Sequence, residues 1–259
     1  MRNTKFFPLK YRVAALVLSL ILFTGCSGLM NVFQTASAVR ELTEGDIISG
    51  LKEALTIGAR KAAERLASEN GYYGDTAVRI PLPEEAKVIE ENISRIPGGK
   101  QLIENVILNI NRAAEDAARE VAPVFAGAVS QMTITDGYNI LHGADNAATQ
   151  YLRNTTWNEL YALYIPRITS STNKEIVAGI SAQESWTTLT DKWNSVANSI
   201  AGRLAGFKPV NTDLDDFLTR KALDGVFLKL EGEELKIRKE VPARVTPILQ
   251  KVFGTLDNR

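Results

Sequence analysis

The chain has 259 residues, 45% hydrophobic and 23% charged, with 30 basic and 30 acidic side chains. This composition suits one globular domain, or at most two, and excludes a disordered chain and a multi-span membrane protein. The charge is unevenly placed: Arg2, Lys5, Lys10 and Arg12 stand in the first 25 residues without an acid, so a chain beginning at Cys26 carries 26 basic and 30 acidic residues, formally −4. No basic cluster is visible in that body, which excludes nucleic acid as an expected partner.

Residues 1–12 form a basic leader, and residues 13–23 are an apolar run, interrupted only by Ser19, that leads to Thr24-Gly25-Cys26. A run of this length is too short to span a bilayer core but fits a secretory signal peptide over residues 1–25. A small residue before the chain's single cysteine resembles the lipobox of bacterial lipoproteins, although Phe23 stands where an aliphatic is usual. The resemblance implies acylation of Cys26, and Ser27 after it implies sorting to the outer membrane, facing the periplasm. Acylation would also remove an unpaired thiol from an oxidising compartment. Residues 26–42 read as a lipidated tether.

The body, residues 43–259, reads as all-α, with about eight to ten helices in one domain. Thr43-x-x-Asp46 is a shortened capping box, and the spacing from Ile47 to Leu66 predicts a helix over residues 46–68. Residues 71–83, rich in Pro and Gly, are expected to run extended over the surface of neighbouring helices, with Pro83 opening a short helix to Ile93. Pro97-Gly98-Gly99 is a turn. The next helix has an apolar face from Leu102 to Val121 and an opposite polar face with Asn105, Asn109, Arg112, Glu115 and Asp116. Pro123 kinks or breaks it.

The stretch 131–153 interrupts the helical pattern twice. Thr135 is expected to cap a short helix that stops at His142-Gly143, and Asp145 to cap the next, which runs to Tyr164 before Pro166. A helix over residues 186–204 follows, and residues 212–216 cap a long helix with a stripe from Leu214 to Leu230. Pro247 opens a terminal helix that Gly254 stops. No segment alternates with period two.

Several short stretches carry a resemblance. They are Arg79-Ile80-Pro81-Leu82-Pro83, Asn111-Arg112-Ala113-Ala114-Glu115, Gln131-Met132-Thr133, Ile140-Leu141-x-Gly143, Ala147-Ala148-Thr149-x-Tyr151 and Lys221-Ala222-Leu223-Asp224-Gly225. Together they resemble the bacterial family DUF4197 over residues 44–254. The resemblance implies an exported, helical, single-domain protein and brings no activity and no functional residues with it.

His142, the one histidine, with Asp136 or Glu115 would give a hydrolase-like acid–base site. No G-x-S-x-G elbow accompanies it, and His142 before Gly143 equally suits a helix C-terminus. Asn211-x-Asp213-x-Asp215-Asp216 opens like a calcium loop but lacks the glycine and the closing glutamate. One histidine and one cysteine make no usual zinc site, so no metal and no cofactor is expected. Arg112 with Glu115, and Lys221 with Asp224, are spaced for ion pairs. Facing each other across the bundle with Asp136, the two pairs would line a polar pocket, the alternative being ordinary bridging between helices, and Tyr151 is a further binding candidate. Trp157, Trp186 and Trp193 read as core, or as the wall of an apolar groove. The reading that results is a non-catalytic, lipid-anchored domain that binds an envelope protein or a small ligand; the alternative is a hydrolase using His142.

Overall fold

The computed structural model describes residues 42–257; the expected signal peptide, Cys26 and the expected tether up to residue 41 lie outside the described residues. Helix α1, Glu44–Leu66, begins two residues earlier than the spacing predicts, because Thr43 is the cap itself. The Thr43 hydroxyl accepts the Asp46 N–H at 3.1 Å and the Asp46 carboxylate accepts the Thr43 N–H at 3.0 Å. Two backbone donors at the helix start are thus satisfied reciprocally.

Residues 71–83 do not lie over the surface as expected. Tyr72 is wholly buried, and Val78, Ile80 and Leu82 point inward. The prolines prevent a helix, yet the apolar side chains between them still leave water, so the segment tucks into the body in irregular turns. Helix α2, Lys87–Glu91, follows a single 3₁₀ turn entered from Pro83.

Helix α3, Gly99–Ala117, and helix α4, Val121–Gln131, are separated by a 3₁₀ turn at Ala118–Glu120. The proline ring at Pro123 crowds the carbonyl four residues before it, that of Arg119, which puts the interruption upstream of the proline. The expected polar face of α3 is only partly exposed: Asn109 and Glu115 are buried, with Asn111 beside them, Arg112 and Asp116 are half-buried, and Asn105 faces solvent. Asn109 Nδ2 donates to Ser185 Oγ at 2.9 Å.

Helix α5, Gly137–Leu141, is capped by Asp136 rather than Thr135, with the Asp136 carboxylate accepting the Asn139 N–H at 3.1 Å. Helix α6, Ala147–Thr172, runs through Pro166 instead of stopping before it. Tyr164 and Ile168 are fully buried on either side of the proline. Packing on both flanks holds the helix across the missing backbone bond. Nor does Asp145 cap it.

Helix α7, Ala182–Ala197, starts at a Ser181 cap, and helix α8, Ile200–Leu204, is a separate piece started by a Ser199 cap, where one helix is predicted. Helix α9, Leu214–Lys239, is capped by Asp213, and helix α10, Pro247–Phe253, by Thr246. Among the described residues there is no β-strand, only an isolated bridge between Val177 and Ile180.

α1 is the central rod. α9 lies along it, α4 and α10 cover other sides, and α6 packs on α9, with α3 and then α7 beyond. The close approach of α1 to α9 needs Gly58, where an added Cβ would stand 2.6 Å from Leu230 Cδ1. Leu51, Leu55, Phe125, Leu160, Phe227 and Leu230 are fully buried or nearly so. Phe125 and Phe227 meet with ring centroids 5.3 Å apart. Each such side chain contributes ~1.5–3 kcal/mol of burial, so this centre fixes the helices against one another.

Candidate functional site

Three of the sequence stretches named above, separated by up to about 140 residues, meet at one place. The wall is the irregular segment from Tyr72 to Pro81, held by two buried polar side chains of α3. Asn111 Oδ1 accepts the Ile80 N–H at 2.9 Å, and Asn111 Nδ2 donates to the Ile80 carbonyl at 2.8 Å. Glu115 Oε1 accepts the N–H groups of Tyr72 and Tyr73 at 3.1 and 3.0 Å. Glu115 is also the ion-pair partner of Arg112 on the next turn of α3.

From the other side, Tyr72 donates its hydroxyl to the Ala222 carbonyl at 2.8 Å, and burial pushes its phenol well above the ordinary value. Gly225 makes room for it, since a Cβ there would stand 2.7 Å from Tyr72 Cε1. Asp75 meets Lys229 of α9 at 2.5 Å, and that bond holds the Asp75 carboxyl below its usual range. Buried polar groups are costly unless fully bonded, and here they are used to fix the path of a loop.

The loop and α9 enclose an open cleft of about 350 Å³, closed at one end by Arg153 of α6. Its charged lining is Arg79, Arg153, Lys221, Asp224 and Glu231. Arg153 pairs with Asp224 at 2.5 Å and stacks over Trp157 and Phe227 at 4.8 and 5.2 Å. Gln150 Nε2 donates to Glu231 at 2.5 Å. Arg79 lies over the Tyr73 ring at 4.5 Å, and Arg112 approaches the same ring at 5.6 Å. Cation–π contacts of this kind restrict where a guanidinium sits.

The remaining stretches meet elsewhere, as a brace. Glu234 of α9, 1% exposed, accepts the N–H of Ala148 at 3.0 Å and of Thr149 at 2.7 Å, and the Thr149 hydroxyl at 2.6 Å. It supplies from another helix the N-cap that α6 lacks, and places a carboxylate at the positive end of that helix. Arg238, 4% exposed, pairs with Glu234 at 2.7 Å and donates to the carbonyls of Leu141 and Ile140 at 2.7 and 3.0 Å. Tyr151 donates its hydroxyl to the Thr133 carbonyl at 2.7 Å. The twice-broken stretch 131–153 is therefore pinned by a buried ion pair.

The candidate residues fall into four groups. Lys221 and Asp224 line the cleft, but Asp224 pairs with Arg153, not with Lys221. Arg112 and Glu115 pair as spaced and stand behind the cleft wall rather than across from Lys221. Tyr151 belongs to the brace. Asp136 and His142 cap opposite ends of the five-residue α5. The Asp136 oxygens take the N–H and the Nδ2 of Asn139, and His142 packs edge-on against Tyr138 at 4.2 Å.

A second concavity of about 360 Å³ lies beside His142. Its charged groups are already paired, Lys239 with Asp145 at 2.9 Å across the lining, and Asp257 and Arg238 with Arg244 and Glu234 outside it at 2.6 and 2.7 Å. The acids of residues 213–216 are engaged likewise: Asp213 caps α9, Asp215 accepts from Thr169 and Thr172, and Asp216 from Tyr161 and Arg220. Among the described residues no cluster of three or more His, Cys, Asp or Glu is arranged to hold a metal. Trp186 and Trp193 are core, whereas half-buried Trp157 supports Arg153 at the cleft.

Arg79, Arg153, Glu234, Arg238 and Arg244 were not singled out by sequence. For Glu234 a signal existed: it continues the stripe Val226, Leu230, Ile237 at helical spacing. Arg79 and Arg153 are brought to the cleft only by the tertiary path of residues 72–81.

In comparison with known proteins, residues 41–254 match the family described as Protein of unknown function (DUF4197). No curated protein and no solved structure matches the chain significantly. Among the described residues no helix is long and apolar enough to cross a membrane.

Proposed function

We propose, from the premise that the chain belongs to the DUF4197 family, that it is an exported lipoprotein acylated at Cys26. It sits at the outer membrane facing the periplasm, and its helical domain binds a small ligand or an envelope partner without catalysis. The signal for export and anchoring is the leader and lipobox-like sequence. The binding reading rests on one observation: Asn111, Glu115 and Tyr72 fix the backbone of residues 72–80 as one wall of an open cleft. A loop pre-organised by buried polar groups is the kind of feature that binding sites require.

Native mass spectrometry of the mature protein, purified from its own envelope, tests the reading. A co-purified molecule or partner retained equally by wild type and His142→Ala is the expected result. Loss of function in a deletion-complementation assay on His142→Ala, with the fold intact, would instead favour the hydrolase alternative with Asp136 or Glu115.

A further inference from the structure

We propose that the cleft between residues 77–81 and α9 takes a small molecule through an oxyanion, a carboxylate or a phosphate, gripped by Arg79 and Lys221. This rests on the binding reading above and names the ligand class of the same site. Both carboxylates of the lining are already engaged, Asp224 by Arg153 and Glu231 by Gln150, each at 2.5 Å. Among the described residues neither Arg79 nor Lys221 has a carboxylate partner within ion-pair distance. Gln150 satisfies Glu231 without neutralising it, so three cations against two carboxylates leave the lining formally at +1.

The geometry favours recognition over a passive surface charge. Arg79 lies over the Tyr73 ring at 4.5 Å, a contact that restricts where its guanidinium sits and leaves its N–H donors for an oxyanion. The backbone carrying Arg79 is fixed one residue away by Asn111 on Ile80. Arg153, held over Trp157 and Phe227, keeps Asp224 paired and so away from Arg79 and Lys221. Leu228, 44% exposed, and Pro81 offer an apolar wall for the uncharged part of the ligand. A volume of about 350 Å³ accommodates a metabolite-sized molecule. A long polyanion is disfavoured by the net negative body.

The test is isothermal titration of the mature, full-length protein in detergent with inorganic phosphate and, separately, with succinate. At least one should bind saturably and lose affinity as salt is raised. The tighter of the two identifies the source of the oxyanion. Arg79→Gln and Lys221→Gln should each weaken binding by roughly tenfold or more, as loss of a charged hydrogen bond does. Lys87→Gln, remote on α2, should bind like wild type, and all three should melt near the wild-type temperature because the residues are exposed. Absence of saturable binding by both probes, or wild-type affinity in Arg79→Gln and Lys221→Gln, overturns the oxyanion class. A neutral molecule that co-purifies with wild type and is lost from Leu228→Trp overturns that class while leaving the cleft as the binding site.

Discussion

Asn111 bonds both backbone groups of one residue, Ile80, from the fully buried middle of α3. The relationship joins two residues 31 positions apart and decides where the cleft wall runs. Replacing Asn111 with Leu keeps the volume but strands a buried N–H and a buried C=O. Each stranded group costs ~1–3 kcal/mol, so Asn111→Leu should lose about 2–6 kcal/mol in urea denaturation. Ligand binding should weaken with it. A loss below about 1 kcal/mol would mean that the loop's path is set by its apolar side chains alone.

Glu234 and Arg238 form the second specification. Glu234→Leu removes the cap of α6 and leaves Arg238 buried without its counter-charge. Breaking a buried pair from one side costs ~3–5 kcal/mol, so this variant should be among the least stable single replacements. Thermal denaturation beside Lys61→Met, which removes only a partly exposed pair with Glu233, checks the contrast. Equal losses in the two variants would contradict the role given to Glu234.

Much of the helical content was legible because apolar spacing in the long helices is unambiguous, and capping residues such as Thr43 and Asp213 mark starts. The errors have physical causes. Pro166 breaks isolated helices, but buried Tyr164 and Ile168 flank it here. Polar residues at helical spacing on α3 suggested an exposed face, since a sequence does not reveal that a loop will return to bond Asn111 and Glu115. Of the cleft, Lys221 and Asp224 were found by spacing. Arg79 and Arg153 became neighbours only through the fold.

Acid should destabilise the domain through identifiable carboxyls. Asp46 is held well below its usual value of 3.8 first by its bond to Lys251, then by Thr43. Asp75, Asp216 and Asp257 are held low chiefly by Lys229, Arg220 and Arg244 respectively. A depressed carboxyl binds its proton more readily in the unfolded state. Its contribution is thus complete above the unfolded value and is lost as pH falls through the folded one. The denaturation midpoint should therefore fall below about pH 4, and Asp46→Asn should make that fall shallower. A midpoint that rises on acidification below about pH 4 contradicts this assignment.

Anchoring is tested at Cys26. Each buried CH₂ of an acyl chain contributes ~0.8 kcal/mol, so two or three chains hold a protein stably where one does not. Labelling with a fatty-acid analogue should mark wild type and not Cys26→Ser, which should accumulate as precursor or appear in the soluble periplasm. Equal labelling of the two would remove the lipoprotein reading.

The most direct measurement of the central claim is amide hydrogen exchange of the mature protein with and without a small-molecule extract of its own periplasm. Binding in the cleft predicts slowed exchange concentrated in residues 77–81 and around residues 221–231, and little change elsewhere. Slowed exchange confined to residues 141–145 and 238–239, beside His142, or no slowing in residues 77–81, would contradict it.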